Sequence, residues 1–441
     1  MFALVTAGQL AALSCKSFSI DEHVYTGSSG SHSASPVAMG GSSFSAGGSS
    51  VRPASSGGAA SELSGGQTAS NAGEISPEAF SKRAFLRQVA DCTVARYQEF
   101  EGLAAALAEA AEVNAASPTD STARTVREAW LAANASWQVA EVFRFGPAAR
   151  SADQDPGARE LRDQIYAWRF GGRCPIETAL VEKLYESPAF GSSLINYRGL
   201  GALEYLLYYP GTDNQCPDYS GINSKGTWAA LGAGEIATRK RTYAAAVARD
   251  VLMNSQKLLQ AWDAAGDNFR RQLVQPGSGS VYPTEQAALN AVWNGIFYLE
   301  KEVKDYKLGI PLGVSECTSG LCPEALEARY AQVSTANIVQ NYLGFRKLFQ
   351  GCGGNYTGLG FEDWLKAIGA SDLRARMLSA LDGAQQAIDA LDPPLEISIS
   401  QHTDRVWTAY TALKPLTDLL KSEFVTVLDL ELPAGAGSDN D

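Results

Sequence analysis

The spacing of the large apolar residues constrains this chain more than any other feature. Tyr97, Phe100, Ala104, Leu107 and Ala111 recur three and four residues apart. Val247, Val251, Leu258 and Trp262 keep the same kind of register further on. Such intervals lay one apolar stripe along a helix. No run of strict apolar–polar alternation stands out, and no Asn-Gly or Asp-Gly turn separates β-rich segments. The expected fold class is all-α. Long helices on short loops point to antiparallel bundles in two halves, about 76–220 and 221–431, followed by a tail at 432–441.

Local signals place the helices. Ser76-Pro77-Glu78 reads as an N-cap, a first-turn proline and a first-turn acid. Ser117-Pro118-Thr119-Asp120 breaks this first helix and caps the second, which runs to about Phe143. A long helix is expected from about Trp228 to Trp262, with Arg239, Lys240 and Arg241 as a solvated patch. Glu300-Lys301-Glu302-Val303-Lys304 alternates sign at helical spacing, the usual mark of a solvent face. Residues 324–349 read as one helix headed by Glu327-Ala328-Arg329-Tyr330. Pro415 is a candidate kink in the last helix.

One acid stands out. Glu204 lies in the apolar run Gly199-Leu200-Gly201-Ala202-Leu203-Glu204-Tyr205-Leu206-Leu207, with Gly201 on its helical face. A carboxylate there costs free energy unless it has a partner or keeps its proton. The plain reading is a core glutamate paired with a nearby arginine. The sharper reading is a ligand or metal site.

The net charge of −12 argues against nucleic acid, whose phosphates need clustered Lys and Arg. Residues 1–15 are mostly apolar and end in Leu13-Ser14-Cys15, similar to a lipoprotein cleavage site, although no basic residue precedes the run. Residues 16–75 are largely a Ser/Gly/Ala-rich stretch that cannot bury enough surface to offset ordering entropy, and read as a tether. His23 and His32 lie in or beside it and read as solvated. A lipid on Cys15 would make a membrane the partner. The chain would then be exported and anchored in the periplasm or at the surface of a bacterial cell. Six further cysteines, Cys92, Cys174, Cys216, Cys317, Cys322 and Cys352, form an even set that fits disulfides. Cys317 and Cys322 can close a small loop. Cys174–Cys216 and Cys92–Cys352 are the pairings adopted for the rest, which spacing alone leaves open.

Several blocks resemble the imelysin family. Its motif is Gly-x-His-x-x-Glu ahead of an apolar helix; Gly199 and Glu204 match it, and Gly201 stands at the histidine position. Trp137-x-x-x-Glu141-x-Phe143-x-Phe145-Gly146-Pro147 is similar to the family's first block. Residues 161–168, with Asp163, resemble the next, and Lys307-Leu308-Gly309-Ile310-Pro311-Leu312-Gly313 a later one. The resemblance spans roughly 76–430 and implies two antiparallel four-helix-bundle-like halves with the motif near their junction.

The family is often labelled as metal-dependent peptidases, and some relatives are linked to iron uptake. A hydrolytic metal site needs about three protein ligands and an open position. Here Gly201 offers no ligand atom. Glu204 and Glu141 remain as candidate ligands, and oxygen-only ligation suits a hard divalent cation or iron better than catalytic zinc. For Glu141 the plain reading is a helix-end pair with Arg144 or Arg198. His402 is the one histidine of the folded region and reads as structural. No catalytic residue is assigned. The leading expectation is a non-catalytic protein that binds a metal ion, an iron-bearing ligand or a protein partner in a cleft between bundles. The alternatives are a metal-dependent peptidase recruiting His402, and a structural module with an empty motif site.

Overall fold

The computed structural model describes residues 80–433, apart from 171, 318 and 319. Cys15, the expected tether, the 76–78 cap and most of the tail lie outside the described residues. Within them every regular element is helical. None is long and apolar enough to cross a membrane.

Helix α1 (Lys82–Ala116) starts where the Ser81 hydroxyl accepts from the Ala84 amide. Helix α2 (Asp120–Ala140) starts at Thr119, as expected, with Thr119 and Thr122 capping each other's amides. The connection between them is so short that α2 folds back along α1. The chain continues through α3 (Leu161–Ile165), α4 (Arg173–Glu182), α5 (Gly199–Tyr208), α6 (Gly221–Ser224), α7 (Ala233–Trp262), α8 (Phe269–Val274) and α9 (Glu285–Ile296). A π-helix (Leu299–Gly309) follows, then α10 (Ser334–Gln350), α11 (Phe361–Ala367), α12 (Ser371–Asp389), α13 (Leu395–Gln401) and α14 (Thr403–Leu419). Pro415 is accommodated inside α14.

Two four-helix groups result. Helices α1, α2, α5 and α7 pack as one; the π-helix, α10, α12 and α14 pack as the other; α2 against α10 joins them. The division falls later than residue 220. The apolar stripe of α7 lies along α1 and α5, and α8 also packs on α1, so the first group extends through Val274. Tyr97 of α1 and Trp262 of α7 meet with ring centroids 6.2 Å apart, both buried. Disulfides join Cys174–Cys216, Cys317–Cys322 and Cys92–Cys352, and the last ties α1 to the end of α10.

Three local expectations are corrected. The mixed charges at 300–304 do not face solvent: Glu300, Glu302 and Lys304 are buried, because the π-helical turn carries them inward against partners of opposite sign. Lys240 is buried rather than solvated, its ammonium donating to the carbonyls of Tyr209 (2.9 Å) and Gly211 (3.1 Å). The helix expected from residue 324 begins only at Ser334, and residues 326–333 form a loop.

Candidate functional site

The start of α5 is fixed by its first glycine. Gly199 has φ +76°, and a Cβ there would lie 2.5 Å from the Ile165 carbonyl oxygen at the end of α3. Only glycine permits both the backbone conformation and that approach. Gly201 differs. A Cβ on it would meet Trp168 Cα and Tyr166 Cε2 at 3.7 Å, ordinary contact distance. The glycine is therefore not demanded by the backbone, and it opens onto a cavity.

Glu204 lines the same cavity one turn later and is only 5% exposed. Its Oε1 accepts from the amides of Tyr330 (2.7 Å) and Ala331 (3.0 Å). Those amides are free to donate because the 326–333 loop is not helical. The partner expected from sequence was an arginine; the structure supplies main-chain dipoles instead. They compensate a carboxylate less than a full cation does. Burial pushes the Glu204 carboxyl up to about 7, against the pull of the two amides and of Arg329, with Glu327 adding repulsion.

The cavity is about 270 Å³ and lies where α4 and α5 of the first group meet the loop after the π-helix. Four guanidinium side chains line it, those of Arg169, Arg173, Arg198 and Arg329. Arg173 is held by Glu177 at 2.8 Å, Arg198 by Asp250 at 2.7 Å and Arg169 by Glu316 at 2.9 Å. Arg329 donates to the Tyr330 hydroxyl at 2.7 Å.

Behind the cavity wall is a buried ionic cluster. Glu327 belongs to both: it lines the cavity and accepts from the Tyr166 hydroxyl (2.7 Å) and from Lys307 (2.8 Å). Lys307 Nζ also donates to Gln138 (2.7 Å) and Asn341 (2.6 Å), and lies 3.4 Å from Glu141. Arg162 Nη2 stands 3.2 Å from Glu141 and 3.7 Å from Glu302. The Tyr298 hydroxyl donates to Glu141 as well. Burial alone would raise the Glu302 carboxyl. The combined charges of Arg162, Arg144, Arg150 and Lys307 outweigh it and hold the group near 2.

Glu141 thus pairs with Arg162 and Lys307. Arg144 instead pairs with Glu302, and Arg198 with Asp250. Asp163 is held by Arg150 and Arg162. Glu204 and Glu141 are not brought to one cavity, since Glu141 is absent from the wall that Glu204 lines. His402, half-buried between α13 and α14, is absent from it too. Among the described residues no three His, Cys, Asp or Glu side chains gather as a metal site would require. This donor set does not fit a resident metal ion.

Sequence reasoning missed Tyr166, Arg162, Lys307, Gln138 and Asn341 as one network. Polar residues interleaved with the buried stripe of α2, Gln138 and Glu141 beside Trp137, were its only local trace.

Two helical groups with a Gly-x-Gly-x-x-Glu turn and a cavity where they adjoin define an imelysin-like helical protein. The Imelysin family model matches residues 93–420, and the chain belongs to that family. It is 23% identical over 349 residues to Iron-regulated protein A of Synechococcus elongatus, covering 78% of this chain and 85% of that one. The crystal structure described as an iron-regulated protein A precursor from Parabacteroides distasonis superposes with TM-score 0.59 at 18% identity, over 78% of this chain and 96% of the other. An imelysin-like protein from Psychrobacter arcticum gives TM-score 0.56 at 16% identity, over 79% and 96%. These likenesses establish the all-α fold.

Proposed function

We propose that this chain is an exported, non-catalytic binding protein whose Glu204 cavity takes an iron-bearing anionic complex rather than a bare ion. One observation carries the reading. The cavity wall carries four guanidinium groups, and its carboxylates, Glu204, Glu316, Glu324 and Glu327, do not gather as a metal site among the described residues; Gly201 adds no ligating atom. Guanidinium forks suit the carboxylates of a chelate, whereas a bare cation would need several oxygen or nitrogen donors of its own. The name of the Synechococcus relative, Iron-regulated protein A, supports iron as the theme. The three disulfides suit an oxidising compartment, in keeping with export and with a lipid on Cys15.

The test uses the full chain with ferric citrate, citrate alone and zinc chloride, read by calorimetry and thermal shift, beside a casein-cleavage assay with and without chelator. Ferric citrate should bind and stabilise the wild type, and Arg329→Gln should weaken it. Casein should stay intact. Chelator-sensitive cleavage that disappears in Glu204→Ala would overturn the reading in favour of the peptidase alternative.

A further inference from the structure

A second, larger cavity of about 520 Å³ lies on the other side of α5, between the first turns of α2 and α7. Arg127, Lys240 and Arg241 line it. Among the described residues none of the three has a carboxylate within ion-pair distance. Arg127 Nε donates to the Leu207 carbonyl at 2.9 Å, and Arg241 donates to the Thr238 hydroxyl at 3.0 Å. Lys240, 7% exposed, uses two of its three ammonium donors on the Tyr209 and Gly211 carbonyls. In a chain of net charge −12, cations are normally drawn to acids. Three cations around one groove without such partners are unusual, and the groove carries Asp120 at its edge as an acid.

Two further features favour negative charge. The groove takes in the N-terminal turns of both α2 and α7, of 21 and 30 residues, whose dipoles point positive ends at it. The α7 turn begins at Gly232 with no side-chain cap, and its first-turn acid, Glu235, is paired with Arg239 at 2.7 Å. Val126, Leu206 and Ile236, all buried, give the groove an apolar stretch of wall beside the polar Asn114, Thr119 and Thr212. The two cavities share a partition. The Arg173 guanidinium lies 4.0 Å from the Tyr209 ring centroid and the Lys240 ammonium 5.0 Å from it.

We propose that this groove is a second binding site, for an amphiphilic organic anion whose carboxylate or phosphate head meets Arg127, Lys240 and Arg241 and whose hydrocarbon body lies against Val126, Leu206 and Ile236. It is independent of the ligand assigned to the Glu204 cavity.

The experiment is calorimetry on the full chain at low salt with octanoate, octyl phosphate, inorganic phosphate and octanol. The two octyl anions should bind, and whichever binds tighter identifies the head group. Removing two charge-assisted contacts in Arg127→Gln/Arg241→Gln should weaken them by about tenfold or more. Both arginines reach solvent, so this variant should keep its helical signal; Lys240→Met, buried, is a secondary probe. Octanol and inorganic phosphate should bind at least about tenfold more weakly, since each lacks one half of the recognition. Any of four results overturns the proposal: no heat with either octyl anion, octanol binding as well as octanoate, inorganic phosphate binding as well as octyl phosphate, or affinity kept in the double arginine variant. Affinity lost in Glu204→Gln but kept in that double variant would move the anion to the other cavity.

Discussion

Glu204 and Glu302 are both buried glutamates on helices, and their environments drive them in opposite directions. Glu302 faces Arg144, Arg150 and Arg162 and is held near 2; Glu204 faces two amides and is pushed to about 7. The difference separates structure from availability. In the cluster around Glu141, Glu302, Glu327, Arg162 and Lys307, charges meet charges at 2.8 to 3.8 Å, leaving little need for an outside partner. At Glu204 the compensation is partial and a cavity lies alongside. A ligand can supply there what the fold withholds.

The largest expected effect comes from breaking the compensated side. Lys307→Met strips Glu141 and Glu327 of a cation they share, and removing one partner of a buried ion network costs about 3–5 kcal/mol. Urea unfolding should show the loss. A change under about 1 kcal/mol would mean that the cluster is not held by its charges.

The uncompensated side should respond with the opposite sign. The Glu204 carboxyl is raised from 4.5 to about 7 in the fold. Below pH 4.5 folded and unfolded chains both carry the proton, and the shift has no cost. Between those values the unfolded chain ionises first, so stability falls as pH rises, by up to about 3 kcal/mol above pH 7. Glu204→Gln should therefore be the more stable protein at pH 8, with the gap closing towards pH 4.5. Parallel stability curves for the two proteins would refute the partial compensation.

The smallest effects sharpen the contrast within α5 itself. Gly199→Ala forces a Cβ against the Ile165 carbonyl at positive φ and should cost about 1–3 kcal/mol. Gly201→Ala meets no such obstacle and should be neutral or up to about 1 kcal/mol stabilising, through helix propensity. Thermal unfolding of the pair reads the difference directly. It tells a glycine demanded by packing from one that leaves room beside a cavity.

Much of the fold could be read from local pattern. The stripes of α1 and α7 are intervals of three and four, and Thr119 announces its own cap. The motif around Glu204 was legible as an anomaly, an acid in an apolar run. Its partners were not, because Tyr330 and Ala331 are 126 and 127 residues away and act through backbone amides that any residue but proline carries. The charges at 300–304 misled for a related reason. Alternating signs look alike whether a helix turns them to water or to buried partners, and only the π-helical register and the arrival of Arg144, Arg150 and Arg162 decide which.

By itself the sequence determined that this protein is helical, where its first helix breaks and its second begins, and that position 201 bears no side-chain donor atom, since these depend on residue identity and short-range spacing. Tertiary structure alone decided that Glu204 is met by amides and Glu141 by cations, and that α7 belongs with α1. Desolvation and charge pairing depend on what the rest of the chain brings within a few ångströms, and that is a property of the packed whole.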